Sequence, residues 1–195
     1  MPDQGMNELP VFETPRLFLR RRGMQDLDAC LEMDRDPEVV RYIDGPWSDP
    51  ALHRAFIKER ITTSYPPGLG YWSVFDRARP DRFLGWILLI PRACTGPEVE
   101  IGWRFNRSSW GNGYATEAAL PVLRHGFLGA GLDEIIASID PDNVRSIRVA
   151  QKLGLLPAGR ELERGRPSLR FALTRAQFLA SPNVAAAGMP AGGTS

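Results

Sequence analysis

At 195 residues, with 43% hydrophobic and 24% charged side chains, the chain has the size and composition of one globular, enzyme-sized domain. Its formal net charge of +1 gives no long-range field of either sign, which argues against a nucleic-acid partner or an anionic membrane surface and requires any anion site to be local. Cys30 and Cys94 are too few and too far apart for a disulfide framework or a zinc site. Met1 to Val11 lacks a basic start followed by an apolar run, and no stretch reaches the roughly 18 apolar residues of a membrane span. Reduced thiols in a soluble, cytoplasmic protein are expected.

Taken in chain order, residues 1–10 are polar with two prolines and are expected to be flexible, and the Pro/Gly/Ala/Ser run of residues 181–195 is expected to be disordered, which leaves one folded domain over residues 11–180. Thr14-Pro15 introduces a strand over Leu17 to Arg21. Apolar residues at Met24, Leu27, Cys30 and Leu31 have helical spacing over Met24 to Arg35, and a second helix is expected over Pro50 to Thr63. Three strands follow, Tyr71 to Asp76, Phe83 to Ile90 and Glu98 to Phe105, with turn residues at Pro80-Asp81 and Cys94-Thr95-Gly96-Pro97, so short antiparallel connections are predicted. From Gly111 the pattern becomes helix (Tyr114 to Leu128), strand (Glu134 to Ser138), helix (Val144 to Leu153) and strand (Leu169 to Leu173). The fold class is therefore α/β with a mixed sheet, antiparallel early and β-α-β-α-β late. Pro121 inside the long helix predicts a kink or a helix dependent on tertiary packing.

The segment Trp110-Gly111-Asn112-Gly113-Tyr114-Ala115 joins a strand to a helix. At a helix start the first N–H groups lack intrahelical partners and the macrodipole adds partial positive charge, so a diphosphate can bind there with little net protein charge. Gly111 and Gly113 permit unusual backbone angles and close approach to phosphate oxygens. An ordinary glycine-containing connection explains the same residues. A dinucleotide fold is disfavoured by Thr116 in place of the third glycine, and a nucleoside triphosphate loop by the lack of Gly-Lys-Ser/Thr.

Glu100-Ile101-Gly102-Trp103, the turn through Thr116-Glu117-Ala118, and Asn143-Val144-Arg145-Ser146 through Leu153-Gly154-Leu155 together resemble the GCN5-related N-acetyltransferase (GNAT) superfamily, in its RimJ/RimL-type branch. Thr14-Pro15-Arg16-Leu17 and Phe171-Ala172-Leu173-Thr174-Arg175 fit as well, so the resemblance spans nearly the whole folded region. It implies the GNAT fold with a splayed central strand pair, acetyl-CoA as co-substrate, no metal, a primary amine as acceptor (a small molecule or a protein N-terminus), direct attack in a ternary complex, and compatibility with a homodimer. It places the pantetheine arm along the backbone of Trp103, Arg104 and Phe105. The diphosphate falls to Ser108, Trp110, Gly111, Asn112, Gly113, Tyr114, Ala115 and Thr116. Three departures stand out: Ser108 replaces the usual Gln or Arg, Leu155 replaces a common Phe, and Arg166-Pro167 lies where an acid is frequent.

Acetyl transfer needs a neutral amine, a proton path, oxyanion donors and stabilisation of the departing thiolate. The period of two in Glu98 to Phe105 sends Val99, Ile101, Trp103 and Phe105 to one face and Glu98, Glu100 and Arg104 to the other. By resemblance the reacting thioester lies beside this strand, with Gly102 as a bulge position and Glu100 as the candidate general base; a solvated strand face explains the same acids. Asp142 or Asn143 can cap the following helix and Gly154 can end it. The resemblance adds contact of Asn143 with the pantetheine arm and thiolate stabilisation by Ser146, no tyrosine being near in sequence to act as the acid. Asp26, Asp28, Glu32, Asp34, Asp36 and Glu38 read as a solvated face that would favour cationic amines if it lined the acceptor groove. His53 and His125 read as surface or structural residues. A catalytically degenerate acyl-CoA-binding regulatory module is the alternative function.

Overall fold

The computed structural model describes residues 9–181. The terminal stretches 1–8 and 182–195 expected to be loose lie outside the described residues; Leu9 is buried and the Pro10 carbonyl accepts from Trp72 Nε1 at 2.8 Å, so packing begins two residues before Val11. The strands are β1 (Phe12–Glu13), β2 (Leu17–Arg21), β3 (Gly70–Asp76), β4 (Arg79–Pro91), β5 (Val99–Phe105), β6 (Glu134–Ile139), β7 (Leu156–Glu163) and β8 (Arg166–Thr174). The helices are α1 (Leu27–Asp34), α2 (Pro37–Val40), α3 (Pro50–Thr62), α4 (Tyr114–Leu128), α5 (Val144–Lys152) and α6 (Arg175–Ala180). One eight-stranded sheet runs in the order β1-β2-β3-β4-β5-β6-β8-β7, antiparallel except at β5–β6.

Period-two alternation sorts the central strands onto two cores. Trp72, Val74, Ile87, Leu89, Ile101 and Phe105 pack under α4, whose Ala118, Val122, Leu123 and Phe127 form its inward stripe. On the opposite face Tyr71, Trp86 and Ile90 meet Leu27, Cys30 and Met33 of α1 and Ile57 of α3. Because both faces are covered, every residue of β3 is buried. α4 runs unbroken through Pro121, held by that packing, and Gly126 lets it approach β6, since a Cβ there would stand 2.6 Å from Ile135 Cδ1.

Several features differ from the expectation. The β4–β5 register is continuous from Gly85↔Phe105 to Pro91↔Val99, so Gly102 is not a bulge; opposite Leu88, its missing side chain makes room for that leucine. The acidic stretch is not a solvated face throughout. Asp26 is buried against Arg20 at 2.7–2.8 Å and accepts from Ser73 Oγ, while Asp34 is buried against Arg104 and His53. The sheet also ends on an extra edge strand, β7, paired antiparallel to β8, and the short elements β1, α2 and α6 add to those expected.

The feature that positions the site is the contact between β5 and β6. These parallel strands share a single register pair, Glu100↔Ile136. β5 stays fully paired to β4 and β6 to β8, so beyond Glu100 the two halves of the sheet part and leave the edge of residues 101–105 without a ladder partner on that side.

Candidate active site

α4 begins at the edge of this opening. Gly111 and Gly113 both have φ of +78°, a left-handed conformation that other residues adopt only at a cost, and Gly113 is the N-cap of α4. The resulting turn aligns six successive backbone N–H groups, from Gly111 to Thr116, that find no acceptor among the described residues; the first intrahelical bond runs from Glu117 N to Gly113 O at 3.0 Å. Glu117 fastens this corner to the start of β2, accepting from Thr14 Oγ1 (2.6 Å), Arg16 N (3.1 Å) and Arg16 Nε (2.7 Å). Arg16 lies over the Tyr114 ring, and Trp110 donates its indole N–H to the Phe105 carbonyl.

Trp110, Gly111, Gly113, Tyr114, Ala115 and Thr116 line one half of a groove, about 340 Å³ in volume, together with Arg145, Arg148 and Lys152 of α5. The three cations fall at i, i+3 and i+7, on one helix face, a spacing that was visible in the sequence and is the signal by which they could have been found. A phosphorylated carrier fits this half on two grounds: a row of unpartnered donors at a helix start, and a cationic wall facing it. The expected cradle needs two corrections. Ser108 is exposed and does not line the groove. Asn112 does not line the groove either, and its side-chain amide is committed to the Ser109 and Trp110 carbonyls, so at most its backbone N–H at the turn is left to a ligand. Arg104 borders the groove, but its guanidinium is bound to both oxygens of Asp34 at 2.8 Å and is not free for phosphate.

The second half of the groove, about 280 Å³, lies on the α1/α3 side of the sheet and shares Trp103, Asn143 and Ser146 with the first. Glu100 stands at the vertex of the opening, where Ser138 N–H donates to its Oε1 at 3.4 Å. Burial pushes its carboxyl up from 4.5 to about 7, aided by the neighbouring Glu163 carboxylate and opposed by the Ser138 N–H and Arg92. The polar face of β5 is therefore groove wall at Glu100 and core at Arg104, not solvated surface. Asn143 caps α5, accepting from Ser146 N at 3.1 Å, and also faces the groove. Ser146 Oγ accepts from Trp103 Nε1 at 3.3 Å, which leaves its own proton free to donate into the shared stretch.

Tyr42, just past α2, lines both halves, so the structure brings in a hydroxyl-bearing ring that is remote from the motifs in sequence. Arg166, flagged in the sequence as a departure, bridges Asp44 (2.9 Å) and Asp140 (3.2 Å) at the rim of the second half. His53 is buried beside Asp34, and His125 bonds the Gly68 carbonyl at 2.8 Å; both are structural.

The profile of the acetyltransferase (GNAT) domain matches residues 16–156, which include β5, the cradle and α5. The chain belongs to the GNAT family of acetyltransferases. It is 36% identical over 154 residues to the uncharacterized protein YkkB of Bacillus subtilis (strain 168), covering 77% of this chain and 87% of that one. It is 28% identical over 191 residues to FsC-acetyl coenzyme A-N(2)-transacetylase of Aspergillus fumigatus, covering 87% of this chain and 78% of that enzyme. In fold it resembles a GNAT-family acetyltransferase from Bacillus anthracis, with a TM-score of 0.72 at 24% identity over 86% of this chain and 99% of the other. Among the described residues no helix is long and apolar enough to cross a membrane.

Proposed function

We propose that the protein transfers an acetyl group from acetyl-CoA to a primary amine within a ternary complex. The observation that carries this reading is the run of six unpartnered amides at Gly111–Thr116, opening onto a strand gap with Glu100 at its vertex. Acetyl-CoA, when bound, supplies an acyl group activated as a thioester. The amides of the cradle hold the diphosphate, with Arg145, Arg148 and Lys152 making its rim electropositive. The free edge of Trp103, Arg104 and Phe105 offers backbone groups to the pantetheine amides, as an added strand would use them. The Aspergillus fumigatus relative is named for acetyl coenzyme A, which supports the same donor.

Glu100 acts as the base. With its carboxyl near 7 it is about half ionised at neutral pH, the condition in which a group both accepts a proton readily and is present in the right form. It draws the ammonium proton from the acceptor, directly or through water. Ser146, one of whose two lone pairs accepts from the Trp103 indole, directs its hydroxyl proton to the departing sulfur, and Tyr42 is the second hydroxyl within the same stretch.

The test is a thiol-release assay over a panel of amines, run beside calorimetric titration with CoA on the wild type and on Gly113→Glu. The expected result is turnover on at least one amine, with CoA affinity abolished in the variant while its circular dichroism is retained. Binding without turnover on every amine would favour the acyl-CoA-binding module, and normal CoA binding by Gly113→Glu would remove the cradle from the site.

A further inference from the structure

The second half of the groove contains charge that the acetyl-transfer chemistry does not use. Arg22, at the end of β2, is 4% exposed, and its Nε and Nη2 are buried with no hydrogen-bond partner. Its guanidinium lies 3.6 Å from the Tyr71 ring centroid and 5.7 Å from that of Trp86, and it borders the groove. The indole Nε1 of Trp86, in the same wall, is likewise buried without a partner. Arg60 of α3 completes the cluster; its guanidinium contacts Cys94 Sγ and the Phe56 ring, and no carboxylate pairs with it among the described residues.

Two other arginines of this wall are neutralised, whereas Arg164 at its rim has no ion pair among the described residues. Arg104 is held by Asp34 and Arg166 by Asp44 and Asp140. An arginine cannot shed its proton in a protein, so a buried guanidinium with unmade hydrogen bonds is costly unless something anionic completes it. The ring faces of Tyr71 and Trp86 offset part of that cost but satisfy none of the N–H groups. Three N–H-bearing side chains and two positive charges therefore meet on one wall of the acceptor half, and no carboxylate pairs with either charge among the described residues. Asp26 and Asp34, the acids of the first helical region, are paired inside the core, and the carboxylates that do line this half, Asp44, Asp140, Glu100 and Glu163, pair with Arg166 or stand at the Glu100 end.

We propose that the acceptor bears a carboxylate as well as its amine, and that Arg22, with Arg60 and the Trp86 indole, binds that carboxylate while the amine lies toward Glu100. This rests on the reading of the chain as an amine acetyltransferase and adds to it a substrate class, amino acids and related amino-carboxylates. A guanidinium with two free N–H groups presents the planar donor pattern that a carboxylate accepts best.

The experiment measures acetylation of matched acceptors: 6-aminohexanoate and its amide, leucine and leucinamide, alanylalanine and its C-terminal amide, with spermidine as the polycationic arm. The 6-aminohexanoate pair separates the charge from effects on the amine itself. In the wild type the carboxylate member of at least one pair is preferred about thirtyfold or more in kcat/KM, the low end for one buried charge pair. In Arg22→Gln that ratio falls toward one, mainly through KM for the acceptor, and Arg22→Lys restores part of it. Should Arg22→Gln fail to fold, Arg60→Gln, at the less buried position, should lower the same ratio. Equal or better turnover of the amides or spermidine, with a ratio insensitive to Arg22→Gln, overturns the carboxylate site and leaves the acetyltransferase reading intact. If no acceptor turns over, the thermal midpoint of the CoA-saturated protein decides: stabilisation by 6-aminohexanoate but not by its amide, lost in Arg22→Gln, supports the site, and no such difference overturns it. Absence of any shift with CoA itself would instead overturn the acetyltransferase reading.

Discussion

Replacing Glu100 by Gln should damage catalysis and stabilise the fold, and both effects should depend on pH. Glu100 ionises near 4.5 in an unfolded chain and near 7 in the groove wall, so at about 1.4 kcal/mol per pKa unit the folded protein pays up to about 3 kcal/mol to hold it charged. Below pH 4.5 the carboxyl is neutral in both states and this cost is absent. Between pH 4.5 and 7 the folded state keeps a proton that the unfolded state has lost, so stability falls as pH rises through the folded pKa and levels off above it. Glutamine is neutral throughout. Glu100→Gln should therefore match the wild type near pH 4.5 and exceed it at pH 8 by up to about 3 kcal/mol, or roughly 6–12 °C for a domain of this size. Loss of a general base should in the same variant lower kcat by about a hundredfold or more and remove the acidic limb of the pH–rate profile near pH 7. Paired thermal melts and steady-state rates at pH 4.5, 6, 7 and 8 read both effects. A variant that keeps the acidic limb excludes Glu100 as the base, and one no more stable than wild type at pH 8 shows that the carboxylate carries no uncompensated charge.

Ser146→Ala removes the hydroxyl that accepts from Trp103, and kcat should fall about tenfold or more with CoA affinity nearly unchanged, as measured by single-turnover kinetics and titration. Asp34→Ala leaves the buried Arg104 and His53 without their carboxylate, and urea unfolding should show a loss of about 3–5 kcal/mol. Gly111→Ala adds a methyl group that meets nothing within 4 Å but must sit at φ +78°, so it isolates the backbone requirement: a stability loss of about 1–2 kcal/mol and weaker CoA binding are expected, the latter read by calorimetry.

The limits of β2 and α4 could be read directly, because the Thr14-Pro15 punctuation and the stripe from Ala115 to Phe127 are local signals. β7 escaped notice for the opposite reason: an edge strand, exposed along most of its length and carrying Pro157 and Gly159, has neither alternation nor strand-forming composition. Tyr42 and α2 were similarly hidden, since a four-residue helix has no periodicity to detect. The cations of α5 were visible in their spacing, but they gain meaning only once that helix is known to face the cradle.

Whatever depends on neighbours along the chain was set by the sequence itself: the glycines that turn the backbone at 111 and 113, the cap at Asn143, and the two faces of β5. What depends on partners far along the chain was decided by tertiary structure. Arg104 finds Asp34 across 70 positions, Arg22 finds none, and Glu100 acquires its raised pKa because β5 and β6 part where it stands. Charge and proton affinity follow the local dielectric and the nearest opposite charge, and neither exists for a residue until the fold has placed what surrounds it.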